Sequence, residues 1–200
     1  KELHLEVAVL REKFLTHAQA LIHGDLHTGS IFITPESTKV IDPEFAYYGP
    51  MGFDVGAVIA NLLLNYAGQE HWSPNGAERA DRRGYLLNTI RDVWTLFEEK
   101  FRALWNEHGI DRISRTVGYQ DEYMRRLLQD SIGFAGAKTV RRIYGLSHVI
   151  DIDNIPDAAV RERAQRIALD IGTALIKINR KAESIEEVVR IAQDAVSARG

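Results

Sequence analysis

Apolar residues first recur along the chain at helical spacing. Leu3, Val7, Leu10, Phe14 and Leu21 are separated by three, four or seven positions, the mark of an amphipathic helix with one buried face. Gly24 interrupts the pattern. Residues 31–34 then form a short β-branched and aromatic run, residues 35–38 have turn composition, and residues 39–42 are again β-prone. A small hairpin is therefore predicted between His27 and Glu44. Pro43 cannot donate a ladder hydrogen bond and should end its second strand. Residues 45–53 hold Gly49, Pro50, Gly52 and the adjacent Tyr47 and Tyr48, and read as a loop anchored by aromatics.

A helix is predicted from Asp54, which is placed as its N-cap. Val55, Val58, Ile59, Leu62, Leu63 and Tyr66 cover nearly every face of it, implying deep burial. Residues 68–76 read as a surface loop carrying Trp72, either as a lid over a ligand or as a tether. Beyond about Ala80 the pattern is wholly helical. One segment runs to about His108 with Leu86, Ile90, Val93, Trp94, Phe97, Phe101, Leu104 and Trp105 as its stripe and Gly109 as its C-cap. A second covers residues 121–148, with a break in prospect at 133–136. A third follows Pro156, a favourable first-turn residue, and continues to about Lys181. Residues 184–187 have the capping-box spacing that opens a last helix. The fold class is mainly α with a small β-hairpin, in a single lobe over residues 1–200 without repeats, low-complexity tracts or linkers.

Composition narrows the class. An apolar fraction of 45% over 200 residues is enough for a real core. The formal net charge of −3 lacks the basic surplus that nucleic-acid binding normally shows. No apolar run approaches the roughly 20 residues needed to span a bilayer, so no membrane partner is expected. Cysteine is absent, which leaves no disulfide framework or thiolate chemistry and makes a reducing cytoplasm the expected compartment. The chain opens directly in a helical pattern, with neither a signal-peptide core nor an initiator methionine. It is therefore expected to be the later part of a longer protein.

Three carboxylates, Asp25, Asp42 and Glu44, each lie at the edge of a short apolar run, where strand gives way to loop. Phosphoryl transfer needs such a set: an acid to align a hydroxyl, a divalent cation on the phosphates, and cationic donors for developing charge. Asp25, at a turn after an apolar run, should point into a cleft. Asp42 and Glu44, two apart at a strand end, suit magnesium, which takes a few carboxylates together with phosphate oxygens and water. A solitary aspartate near a turn is ordinarily a cap, and a bare His-x-Asp is a weak pattern. The Asp-x-Glu that follows across the hairpin is what strengthens it. His23 reads as a hydrogen-bonded core histidine, because phosphoryl transfer needs no second base.

The run at 23–30, His-Gly-Asp-Leu-His-Thr-Gly-Ser, resembles the catalytic loop of the aminoglycoside phosphotransferase and choline kinase-like group, which shares the protein-kinase fold. Taken with Asp-Pro-Glu-Phe-Ala at 42–46 and Tyr-Gly-Pro-Met-Gly-Phe-Asp at 48–54, it is similar, more narrowly, to the methylthioribose kinase family. The likeness is dense over the catalytic half and thin as far as about residue 150. It implies the C-terminal lobe of a protein-kinase-like fold. It also implies ATP-dependent, Mg2+-assisted phosphorylation of the 1-hydroxyl of the sugar 5-methylthioribose, a step of methionine salvage, and it admits a homodimer.

Carried over by position, the resemblance implies that Asp25 is the catalytic base and that Asp42 and Glu44 bind metal. Asp54 takes the part of a buried aspartate bracing the catalytic loop, with His23 as structural support. Arg141 and Arg142 correspond to twin arginines at the substrate pocket. Adjacent helical residues point about 100° apart, so at most one is expected to face the pocket squarely. One position departs from the wider group: Ser30 stands where a metal-binding asparagine is usual, five residues after the catalytic aspartate. A hydroxyl is the weaker magnesium ligand, so that contact is lost or made through water. The glycine-rich nucleotide loop and its lysine belong to an N-terminal lobe that is absent from these 200 residues, and the chain alone is expected to be inactive. The rival readings are a kinase for another small alcohol (an aminoglycoside, choline or homoserine) and a non-catalytic binding lobe. Choline would call for an aromatic cage, whereas paired arginines favour a neutral or anionic ligand.

Overall fold

The computed structural model describes residues 2–73 and 75–199, and among them the protein is mainly α with two very short β-ladders. Helix α1 (Glu2–Thr16) leads into strand β1 (Ala20–Ile22); β2 (Ile31–Ile33), β3 (Thr38–Val40) and β4 (Tyr47–Gly49) follow. The rest is helical: α2 (Met51–Trp72), α3 (Gly76–His108), α4 (Tyr119–Tyr144), α5 (Ile150–Asp153), α6 (Ala158–Ile178) and α7 (Glu186–Ser197). The predicted hairpin is present, with Ile31 opposite Val40 and Ile33 opposite Thr38 in antiparallel register.

The core lies where α2, α4 and α6 cross, with α3 and α7 closing its outer side. Ile59, Leu63, Ile132, Ile167, Ile171 and Leu175 are fully buried there. Small residues let the helix backbones approach. A Cβ on Gly56 of α2 would stand 2.5 Å from the Ser131 carbonyl oxygen of α4, and one on Gly136 of α4 would stand 2.7 Å from the Gly172 carbonyl oxygen of α6. These contacts explain why α4 runs unbroken through residues 133–136, against the expected interruption. Gly133 is the seat of Leu10 from α1, and packing outweighs the poor helix propensity of glycine.

Several boundaries differ from the sequence reading. Leu21 leaves the amphipathic helix for β1 and is 64% exposed, and Val7 is 43% exposed, so Leu10 is the fully buried member of that stripe. Residues 45–53 are not all loop: β4 pairs with β1, Ile22 opposite Tyr47 and Ala20 opposite Gly49. So short a ladder is decided by its distant partner and leaves little local signal. Helix α2 begins at Met51 with Pro50 as its cap, which puts Asp54 in the first turn instead of at the N-cap. The 68–76 loop is also mostly helix. Gly68 lies against the Asp151 carbonyl and the Trp72 indole donates to that same oxygen at 2.8 Å, so contact with α5 prolongs α2 and makes Trp72 a tether. Pro74 lies outside the described residues. Asn75 caps α3 through the Glu78 amide. Helix α4 stops at Tyr144, before His148, and Asp157 rather than Pro156 starts α6, accepting from the amides of Ala159 and Val160. In the expected capping box, Glu187 accepts from the Ser184 amide at 3.3 Å. Among the described residues no helix is long and apolar enough to cross a membrane.

Helix α1 is fastened by charge. Lys13 pairs with buried Asp130 of α4. Glu6, itself buried, accepts from Arg180 Nε at 2.8 Å and from Asn179 Nδ2 at 3.1 Å beyond the end of α6.

The hydrogen bond from Arg180 outweighs burial and holds the Glu6 carboxyl below the usual glutamate range. A depressed folded-state pKa adds stability above the unfolded-state value and loses it as pH falls through the folded one. The wild type should therefore lose more stability than Glu6→Gln between pH 7 and about pH 3, below the reference glutamate value of about 4.3, in paired urea titrations. At the α4–α6 crossing, Gly136→Val should cost about 1–3 kcal/mol by overpacking, seen as a lower urea midpoint at unchanged slope.

Candidate active site

Strand β1 delivers the chain into the 23–27 loop, and the loop's shape is fixed from beneath by Asp54. Its Oδ2 accepts from the His23 amide at 2.6 Å and its Oδ1 from the Gly24 amide at 3.1 Å. These are charge-assisted bonds, the stronger kind. Gly24 has φ +83°, and a Cβ there would stand 2.2 Å from the Phe45 carbonyl oxygen. Only glycine combines that conformation with that approach.

The His23 ring is engaged at both nitrogens. Nδ1 accepts from the Asp25 amide at 3.3 Å and Nε2 lies 2.8 Å from the Ile41 carbonyl oxygen. The two contacts select the tautomer with hydrogen on Nε2, and they make His23 a brace between the loop and the end of the hairpin. Segment 41–45 thus crosses directly over residues 23–25. Within it, Asp42 has φ 66°, the one positive φ outside glycine among the described residues. Such a conformation costs on the order of 1–3 kcal/mol and tends to persist at functional sites. Asp42 and Glu44 are both exposed. Among the described residues no three or more acidic or histidine side chains form a metal-binding cluster. Two hard oxygen donors accessible to solvent do fit magnesium that completes its shell with phosphate oxygens and water. Ser30 is buried in a 3-10 turn, with its Oγ 3.3 Å from His27 Nε2.

Asp25 opens into a cleft of about 670 Å³. One wall is aromatic: Phe14 of α1 lies between Tyr47 and Phe53, with ring centroids 5.4 and 4.9 Å away, and Phe53 meets Phe134 edge-on. Lys138, Arg141 and Arg142 of α4 line the cleft as well, with Lys138 Nζ 5.1 Å from the centre of the Phe53 ring. Lys138 Nζ donates to Asp25 Oδ1 at 2.8 Å. Burial acts to raise the Asp25 carboxyl, but the Lys138 hydrogen bond and charge, helped by His27 and Arg142, hold it below the ordinary aspartate value. The Tyr47 hydroxyl is pushed up to about 12, by burial first and then by the Asp54 charge.

Both arginines line the cleft. Their contacts differ: Arg142 Nη1 reaches the carbonyls of Ser147 and His148 at 3.5 and 3.4 Å, whereas Arg141 is exposed. Lys138 and the Phe14–Tyr47–Phe53 group are site features that the sequence motifs do not single out. A lysine following the apolar and small residues 132–137 was the available signal for the first. For the second there was none, because its members come from three separate elements.

A helical lobe with a braced aspartate at a strand end, a hairpin beside it and cations of α4 lining the same cleft has the architecture of the helical lobe of a kinase-like fold. Residues 2–93 match the phosphotransferase enzyme family. The chain is 46% identical over 199 residues to methylthioribose kinase 1 of Oryza sativa subsp. japonica, covering 94% of this chain and 46% of that protein. It is 44% identical over 189 residues to the methylthioribose kinase of Citrobacter koseri, covering 94% and 47%. Against that of Bacillus cereus strain AH820 it is 43% identical over 197 residues, covering 98% and 48%. The chain spans about half the length of these curated relatives.

Replacing Asp54 by Ala removes both loop-bracing acceptors. At roughly 1.5–3 kcal/mol for each hydrogen bond to a charged group, a destabilisation on the order of 3 kcal/mol is expected. The His23 and Gly24 amides should lose protection in hydrogen exchange while the α4 and α6 amides change only by the global amount.

Proposed function

We propose that this chain is the catalytic lobe of an ATP-dependent small-molecule kinase that phosphorylates the 1-hydroxyl of 5-methylthioribose. The observation that carries the reading is Asp25: an ionised carboxylate on a braced loop, facing a cleft lined by aromatic and basic side chains. Relatives that align with nearly the whole chain and are named methylthioribose kinases support the choice of sugar. A nucleotide-binding lobe, in the half of those relatives that this chain does not span, completes the site. The reading places the reaction in methionine salvage and in the cytoplasm, where ATP is at hand.

Each residue then has a task. Asp25 aligns the sugar hydroxyl and accepts its proton as the phosphoryl group transfers, since positioning and electrostatics carry most of this chemistry. Asp42 and Glu44 hold magnesium, which when bound neutralises charge on the nucleotide phosphates. Ser30, turned toward His27, adds at most a water-mediated contact. Arg141 faces the product phosphate and Arg142 holds the wall of the pocket. The aromatic side of the cleft suits the methylthio end of the sugar. Three basic side chains lining the cleft disfavour choline or an aminoglycoside, which would be repelled there.

With full-length protein, ATP and magnesium, methylthioribose should be turned over in preference to choline and an aminoglycoside. Absence of methylthioribose turnover would sink the assignment. Asp25→Asn should lower kcat by about 10²–10⁴-fold, the usual worth of a positioned general base. Activity equal to wild type would rule Asp25 out as the base.

A further inference from the structure

The Lys138 side chain is hidden inside the protein, 4% exposed, and lines the cleft from α4. Lysine is almost never buried unless paired. Here its ammonium lies 5.1 Å from the centre of the Phe53 ring, and its hydrogen bond among the described residues goes to Asp25 Oδ1 at 2.8 Å. The fold gains little from this arrangement. A well-packed apolar side chain in place of a buried charge is often neutral or stabilising, and α4 is already held by its crossings with α2 and α6. The lysine therefore calls for an explanation at the cleft.

We infer that Lys138 is a positioning residue for Asp25: it occupies Oδ1 and leaves Oδ2 as the one oxygen that receives the substrate hydroxyl. This rests on the kinase reading for the identity of that hydroxyl. The other groups facing the carboxylate are His27, whose Nε2 is 4.0 Å from Oδ2 and beyond hydrogen-bond reach, and the Arg141 and Arg142 guanidiniums of α4 at the cleft wall. Asp54, under the loop, is committed to the His23 and Gly24 amides. Lys138 is thus the group that fixes the Asp25 rotamer. In the transfer step the new bond forms between the sugar oxygen and the γ-phosphorus, and the bond from that phosphorus to its leaving oxygen breaks. The hydroxyl proton passes to Asp25 Oδ2, and Lys138 keeps its own protons throughout. The lysine also counters the burial that would push the carboxyl up, so the base is ionised and empty when substrate arrives.

The test uses full-length protein with Lys138→Met, which keeps the stem on Phe53, and Lys138→Arg, which keeps the charge. In Lys138→Met the acid limb of the pH profile of kcat/KM should move to higher pH. kcat should fall about 10²-fold, the scale of losing a fixed geometry, with KM for the sugar little changed. Lys138→Arg should return the limb toward its original position. An unmoved acid limb in a Lys138→Met protein with native circular dichroism overturns the inference. If that variant does not fold, a 13C carboxyl titration of Asp25 in the wild type decides. A midpoint below the ordinary aspartate range supports Lys138, and one at or above it overturns Lys138. The same titration separates the two claims: a wild type that ignores methylthioribose but shows a depressed Asp25 midpoint, raised by Lys138→Met, refutes the substrate and leaves the lysine's role standing.

Discussion

Everything in the site hangs on the carboxylate of Asp54. It sits in the first turn of α2, among the most buried elements of the lobe, and reaches up to two consecutive amides of the loop that carries Asp25. A loop needs partners for its amides wherever it leaves water. Here both come from one charged group on a rigid helix, so the loop inherits the position of α2. His23 then passes that position across to the hairpin through Ile41, and Gly24 lets the backbone of Phe45 lie against the loop. Remove the carboxylate and the catalytic strand end, the hairpin and the aromatic wall lose their common reference.

Charge is used in two different ways elsewhere. The Glu6–Arg180 and Lys13–Asp130 pairs fasten α1 to the helical core, and each has a buried carboxylate matched to a more exposed cation. They secure Phe14, which stands in the cleft wall between two other rings. The Lys138–Asp25 pair reverses the pattern, with the cation buried and the carboxylate open to solvent. In the first two the acid belongs to the framework. In the third the cation does, and the acid is offered to the cleft.

The sequence made the site more legible than its surroundings. Residues 23–30 and 42–44 stand out because each motif is short and continuous, and the hairpin between them is marked by Pro35 in its turn and Pro43 at its end. The long helices α3 and α6 were visible as apolar stripes of the expected period. What escaped depends on partners far along the chain. Strand β4 exists because β1 lies beside it, α2 continues to Trp72 because Asp151 waits at its end, and α4 ignores its glycines because Leu10 and Gly172 fill the space they leave. Local propensity yields to such contacts. Lys138 escaped for a related reason, since a lysine's burial is a property of the neighbours that surround it.

The backbone-to-backbone crossing of α4 with α6 has a consequence for how the cleft can change. At Gly136 and Gly172 main-chain atoms of the two helices come close, with Val140 and Leu175 packed against the glycines, so the spacing has little room to change. The cationic part of α4, one turn further along, therefore behaves as a stiff fence. A ligand of the wrong shape cannot push it aside. The aromatic part of the lining is assembled from side chains on three elements. Divergence in what the cleft accepts should accordingly be written at Phe14, Tyr47 and Phe53, while the cations of α4 stay where they are.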